Sequence, residues 1–363
     1  MSLSKQNSKA TNKKSDLQVE NFPACAVEAL ARIETLIAGG NNQNLVMQII
    51  SKYIFLERSK DGDGRKSQAQ AQAQPTSQLN VFKEFQLTIA LIEYFSKPGS
   101  KLNATYNVIF LSLFGSHLTP ERTRLLCKVI SLAISGAVSG VLFSAGVWLQ
   151  QVGCKTPTGL EIAQCIVTDF ILFARKPSET LKQLPMIAPQ FAANFVTAVA
   201  ELYLNEQRSA ALTPPPVALL NVITEWMTEC PALCEASQQF LAGLLRWAVL
   251  APLVSKRPAY SQLHLSILKL LQKHPASGES SALHIQDLMQ IYQSLQNFCA
   301  RLTGAGVDPP TSEAYQKCME RFAQAVQIAI YSKRIPNPMQ LLCTLKLLPS
   351  HKLMNIVIAA HKK

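Results

Sequence analysis

From Leu79 onward the apolar residues keep the spacing of one helix face after another, and this periodicity restricts the fold more than any other property of the chain. Phe82, Phe85, Ile89 and Ile92 recur at +3, +4 and +3, which places them on a single stripe; Tyr315, Met319, Phe322, Val326 and Ile330 repeat the pattern much later. Start signals recur with it. Thr119-Pro120 and Thr213-Pro214 each set a capping hydroxyl before a proline at the first helical position, and Thr158 with Glu161 has capping-box spacing. Prolines 98, 120, 157, 177, 214, 231, 258, 275, 310 and 336 punctuate the helices, and no stretch sustains the period-two alternation of a strand. The fold class is therefore all-α. About fifteen helices with short connections, many of them apolar on more than one side, describe an α-solenoid of stacked helical pairs. The arrangement is HEAT- or armadillo-like with degenerate repeats, and an irregular helical bundle is the structural alternative.

The N-terminal part is organised differently. Residues 1–20 are polar and rich in Ser, Asn and Lys, and are expected to be a disordered tail. Residues 21–58 hold a predicted helical pair, Ala24 to Ala38 and Gln43 to Glu57, with Gly39-Gly40 stopping the first helix. Residues 59–78 contain DGDGRK and an Ala-Gln repeat without an apolar face, which reads as a flexible linker before the solenoid of residues 79–363.

One segment imitates a membrane span. Val129 to Gly153 carries no charge and includes Gly136-x-x-x-Gly140, a spacing suited to close helix packing in lipid. Ser131, Ser135, Ser139 and Ser144 lower its hydrophobicity, and the Gly136–Gly140 stretch reads as a break between two buried core helices. Charged residues make up only 16% of the chain against about a quarter in an average soluble protein, so part of its exterior is expected to be covered by other subunits.

Little in the sequence points to catalysis. The nine cysteines are scattered singly, which fits reduced thiols, and Cys230 and Cys234 in CPALC lack the second Cys/His pair of a metal site. None of His117, His264, His274, His284, His351 and His361 has the helical His partner and Glu of a metalloprotease. Phosphate loops, dinucleotide glycine fingerprints and nucleophile elbows are missing. No cofactor and no metal is expected.

The net charge of +12 falls in two stretches without Asp or Glu. Ala236 to Gly278 carries Arg246, Lys256, Arg257, Lys269 and Lys273; Arg321 to Lys363 carries Arg321, Lys333, Arg334, Lys346, Lys352, Lys362 and Lys363. Three readings of the tracts stand side by side: cations capping helix ends on a solvated face, docking to an acidic protein surface, and phosphate binding by a groove that tracks nucleic acid. Candidate partner-binding residues are Arg246, Trp247, Lys256, Arg257, Lys269, Lys273, Arg321, Lys333 and Arg334, with Trp247 also a candidate core anchor.

At these residues the chain resembles the Integrator complex subunit 15 family. The resemblance is carried by Leu244-Leu245-Arg246-Trp247, Ala251-Pro252-Leu253, Lys256-Arg257 and Leu263-His264-Leu265-Ser266. Phe85-Gln86-Leu87, Tyr94-Phe95, Ile109 to Phe114, Leu125 to Ala133, Trp148-Leu149-Gln150, Arg321 to Gln327 and Leu348-Pro349 with Leu353 are collinear with it. Two features depart from the vertebrate pattern: Pro258 follows the Lys-Arg pair directly, without a polar insertion, and a Pro/His-rich tail is missing. The resemblance implies a non-catalytic nuclear scaffold in a complex that processes small nuclear RNA 3′ ends and attenuates transcription by RNA polymerase II. It further implies contact with the arm of subunits ten, thirteen and fourteen.

Overall fold

A computed structural model describes residues 18–40, 43–57, 79–97, 104–115, 118–173, 179–204, 215–230, 233, 238–272, 283–335 and 337–361. Residues 1–17, the linker of residues 59–78, the Thr213-Pro214 start, Cys234, Lys273, Lys362 and Lys363 lie outside the described residues. The chain divides into two compact units, Met1–Tyr94 and Phe95–Lys363.

The first unit opens with a short 3-10 turn, Val19–Asn21, and continues into α1 (Ala24–Ala38) and α2 (Gln43–Ile49), which runs on as a π-helical turn, Ile50–Ile54. Helix α1 stops where two glycines were read as a stop. The Gly39 N–H returns to the Thr35 carbonyl at 3.0 Å, and Gly40 takes φ +67°, a conformation open to glycine at little cost. Helix α3 (Val81–Phe95) inverts one expectation. Its Phe82 and Phe85 are 67% and 60% exposed, while Glu84, Leu87, Thr88, Leu91 and Tyr94 point inward. Both faces of this helix are apolar enough to be buried, and tertiary partners choose between them. The inward face carries Tyr94, whose hydroxyl donates to Glu34 Oε2 at 2.9 Å, and Thr88, whose hydroxyl returns to the Glu84 carbonyl at 2.8 Å.

The second unit holds α4 (Ala104–Phe114), α5 (Pro120–Ser135), α6 (Ser139–Val152), α7 (Pro157–Val167, continued by a π-helical turn Thr168–Leu172), α8 (Glu179–Ile187), α9 (Pro189–Leu204) and α10 (Val217–Glu229). It continues with α11 (Gln238–Leu250), α12 (Ala259–Gln272), α13 (Ile285–Gly304), α14 (Glu313–Tyr331), α15 (Met339–Leu345) and α16 (Lys352–Ala360). No strand occurs among the described residues. The packing order is that of an α-solenoid, with each helix seated on its second neighbour. Odd-numbered helices from α5 to α15 form one row of successive contacts, and even-numbered helices from α8 to α16 form another. Helices α9 and α11 are the most deeply embedded pair. In α9, residues Phe191 to Ala200 are buried without interruption, so this helix is covered on every side.

Local signals explain several boundaries. Thr119 accepts from the Arg122 N–H ahead of Pro120, as expected. The start of α7 is capped two residues before the expected box: Thr156 accepts from Gly159 N, Pro157 takes the first helical position, and Thr158 lies inside the helix. The uncharged Val129–Gly153 stretch is the end of α5 and all of α6, with Gly136 closing the former and Ala137 at φ +53° turning the chain. Its interior faces, from Val129 to Ile134 and from Gly140 to Leu149, are packed in protein, and no helix among the described residues is long and apolar enough to cross a membrane.

The close helix approach in this stretch falls on Gly146. A Cβ there would lie 3.0 Å from the Phe191 nitrogen and 3.2 Å from its Cα, and the Gly146 carbonyl accepts from Asn194 Nδ2 at 2.9 Å. Backbone cannot retreat as a flexible side chain does. Gly146→Ala should therefore destabilise the chain by about 1–2 kcal/mol despite alanine's better helix propensity. Gly304→Ala, where the added methyl meets nothing within 4 Å, should be neutral or stabilising by roughly 0.5–1 kcal/mol. Urea unfolding of the two variants beside the parent chain measures both.

Candidate functional site

The two acid-free tracts meet where α11, α12 and α14 pack together. Helix α11 runs into a 3-10 turn, Ala251–Leu253, because Pro252 has no N–H to continue the ladder. That missing donor leaves the Ala248 carbonyl, four residues earlier, without its helical partner. Arg321 on α14 supplies the replacement: Nη1 donates to the Ala248 carbonyl at 2.7 Å and Nη2 to Ser261 Oγ at 2.9 Å. One guanidinium thus closes the end of α11 and holds the start of α12.

Arg334 performs the same task one step on. It is 7% exposed, and its Nε and Nη2 donate to the carbonyls of Leu271 and Leu270 at 3.0 and 3.1 Å, at the C-terminus of α12. The chain reaches this position through a left-handed residue, Lys333 at φ +56°, and the Arg334 and Lys333 N–H groups return to the Ala329 and Ile330 carbonyls. Arg257 donates through Nη1 to the Pro215 carbonyl at 2.5 Å, tying the basic elbow to the entry of α10.

Trp247 is wholly buried. Its indole stacks on Tyr203 at 6.1 Å and 11° and meets the edge of Tyr260 at 5.7 Å and 82°. Neither Trp247 nor Arg334 is available to a partner: the first fills the junction of α9, α11 and α12, and the second is spent on helix carbonyls.

The lysines behave differently. Lys256, Lys269 and Lys333 are exposed, and Lys346 and Lys352 share that character. Lys256 reaches Glu313 Oε2 at 2.9 Å, while Lys317 takes Oε1 at 2.7 Å. These two cations, Lys317 first, hold the Glu313 carboxyl down to about 2. All three groups stand in solvent, so the network contributes little to stability. Among the described residues no carboxylate pairs with Lys269 or Lys333. A planar guanidinium fits two carbonyls at once, whereas an ammonium is a strongly hydrated point charge, which accounts for the division.

Arg246 stands apart, on a cleft of about 470 Å³ between the α6–α7 turn, α9, α11 and α13. Its Nη1 lies 3.0 Å from Glu201 Oε2, and Lys155 Nζ approaches the same oxygen at 3.7 Å. Asp287 and Cys154 also line the cleft. Burial pushes the Cys154 thiol up to about 11, which leaves it a poor nucleophile. The cleft was not visible in the sequence, because Lys155, Glu201, Arg246 and Asp287 follow no motif spacing. No set of three His, Cys, Asp or Glu side chains among the described residues could hold a metal ion.

Three of the described histidines, His264, His351 and His361, bond to helices. His351 caps α16 through Nδ1, which accepts from Met354 N at 3.4 Å, and His361 meets Gln327 at 3.2 Å. His264 on α12 is 3% exposed and shares a hydrogen bond of 3.0 Å with Gln324 Oε1 on α14. Burial, helped by the Arg321 charge, holds it down to about 4 from an ordinary 6.5, against the opposing pull of Gln324. The folded chain therefore keeps this imidazole neutral where the unfolded chain protonates it. Stability from this group is complete above pH 6.5 and is lost as pH falls towards 4, by roughly 3 kcal/mol in full. In urea unfolding between pH 7 and 4.5, His264→Gln should show a visibly shallower loss of stability than the parent chain; parallel slopes would remove His264 from the pH response.

Similarity to known proteins bears on what carries this arrangement. The family profile of Integrator complex subunit 15 matches residues 11–350. An Integrator complex subunit 15 of Drosophila melanogaster is 62% identical over 379 aligned positions, covering 100% of both chains. Those of Mus musculus and Homo sapiens are each 27% identical, spanning 79% of this chain and 73% and 74% of their own lengths. With a family match running through both basic tracts and a relative aligned from end to end, the chain belongs to the Integrator complex subunit 15 family.

Proposed function

We propose that the chain is a non-catalytic scaffold subunit of the nuclear Integrator complex, which joins the arm of subunits ten, thirteen and fourteen to the remainder. In that role it serves small nuclear RNA 3′-end processing and attenuation of transcription by RNA polymerase II, touching the polymerase only through other subunits. The observation that carries the reading is the end-to-end match to a relative named as an Integrator subunit. The solenoid supports it physically. Two rows of stacked helices leave long side walls, and these walls bear large exposed apolar residues such as Leu265, Tyr331, Leu347 and Ile356 beside exposed lysines.

The division of the cations supports one choice of docking residues over the others. Arg321, Arg334 and Trp247 are engaged inside the protein, so Lys256, Lys269 and Lys333 orient the partner, with Arg257 fixing the elbow that presents Lys256. Charges of this kind steer and align more than they hold. A groove of phosphate-binding arginines is the rival reading, and it is weakened because the tract arginines already have carbonyl or carboxylate partners.

The test is a triple variant, Lys256→Glu, Lys269→Glu and Lys333→Glu, expressed in cells with unchanged helicity. Recovery of subunits ten, thirteen and fourteen with it from nuclear extract should fall roughly tenfold. Undiminished recovery would take the three lysines out of the docking surface. Salt-sensitive binding of single-stranded RNA by the parent chain, lost in the triple variant, would instead favour the phosphate reading.

A further inference from the structure

Where α5 and α7 pack, four side chains meet as two pairs one helical turn apart: Cys127 and Ser131 on α5, Cys165 and Asp169 on α7 and its π-helical continuation. Ser131 donates to Asp169 Oδ2 at 2.7 Å and lies 3.8 Å from Cys165 Sγ. Cys165 donates to the same carboxylate oxygen at 3.5 Å. Because Ser131 and Asp169 meet across the seam of α5 and α7, the residues four before each, Cys127 and Cys165, fall beside each other one turn earlier. Cys127 is 8% exposed and Cys165 half-buried, so the pair is shielded from large molecules but open on one side to a small one.

This environment separates the two sulfurs. The contact with Cys127, followed by that with Ser131, lowers the Cys165 thiol despite burial and the nearby Asp169 charge. The same contact, with burial, raises Cys127. By contrast, burial raises Cys25, Cys154, Cys230, Cys299 and Cys318. An attacking thiol with a lowered proton affinity and a second thiol in contact with it are the two parts of a resolving pair.

We propose that Cys127 and Cys165 form a peroxide-driven, reversible disulfide that clamps α5 to α7. Cys165 passes its proton to the Asp169 carboxylate, and its thiolate attacks one oxygen of a hydroperoxide. The O–O bond breaks, the leaving oxygen departs as water or alcohol with that proton, and Cys165 becomes a sulfenic acid. The Cys127 sulfur then displaces the sulfenic oxygen, which leaves as water with the Cys127 proton, and the S–S bond forms. Two thiols lose two electrons and two protons, and the peroxide takes up both. The two sulfurs, set side by side by the register of α5 on α7, close to about 2.05 Å by side-chain rotation and a small helix shift. The modified site adjoins the π-helical turn Thr168–Leu172, at whose end Leu172 and Phe173 are 59% and 80% exposed, so the clamp acts beside an exposed apolar pair.

The reduced, folded chain is treated with hydrogen peroxide at neutral pH, its remaining thiols are alkylated, and it is mapped by non-reducing peptide mass spectrometry. A Cys127–Cys165 linked peptide should form, lighter than its two parts by about 2 Da, and disappear with dithiothreitol. In Cys127→Ser the link should be lost and trapping of Cys165 by dimedone should rise several-fold over the parent chain. The proposal is overturned if Cys165 of the parent chain is trapped as strongly as in the variant. It is equally overturned if Cys165 pairs with another cysteine, or stays reduced while exposed Cys343 oxidises. The linked peptide of the parent chain decides the matter even if the variant folds poorly.

Discussion

A buried helix end leaves carbonyls that water cannot reach, and a solenoid built of many short helices multiplies such ends. In this chain two arginines from the C-terminal tract satisfy the ends that matter most for the central packing. Arg321 takes the carbonyl that Pro252 leaves open in α11, and Arg334 takes the last carbonyls of α12. Each bond spans more than sixty residues of sequence, so each also fixes one layer of the stack against another. The aromatic junction of Tyr203, Trp247 and Tyr260 and the His264–Gln324 pair sit in the same region and rely on the same registration.

This use of guanidinium groups reshapes the meaning of the charge distribution. A net charge of +12 carried by two acid-free tracts looks, along the chain, like a single basic surface. In space the tracts are neither acid-free nor single. Glu201 comes to Arg246 from α9, Glu313 comes to Lys256 from the start of α14, and the arginines turn inward. The charge left exposed is mainly that of lysines, with Lys256 at the elbow before α12, Lys269 on α12 and Lys333 just after α14. Such a surface suits orientation of a large apolar contact better than the tight bidentate grip that phosphates receive from arginine.

Much of the fold was legible because it depends on local chemistry. Helix α1 begins and ends where its apolar stripe and the Gly39-Gly40 stop said it would, and the uncharged Val129–Gly153 stretch proved to be two helix segments meeting at Gly136. Errors came where two local solutions were equally good. Helix α3 has apolar residues on both faces, and the face that turns inward is the one carrying Leu87, Leu91 and Tyr94, whose hydroxyl reaches Glu34. Thr156 outcompetes Thr158 as a cap because Pro157 prefers the first helical position. The functional reading was legible to a different depth. Residue type and charge found the tracts, but a sequence does not record which carbonyl Arg321 or Arg334 will face. Nor does it record that Cys127 and Cys165 become neighbours.

Arginines hold this solenoid together, while its tract lysines stand in solvent. Thermal unfolding of two sets of variants, run side by side, tests this most directly. Arg321→Lys and Arg334→Lys keep the charge but lose the paired hydrogen bonds of the guanidinium, and each should cost about 2 kcal/mol, while Lys256→Glu and Lys269→Glu should each stay within about 0.5 kcal/mol of the parent chain. Neutral arginine replacements beside destabilising lysine reversals would contradict the account.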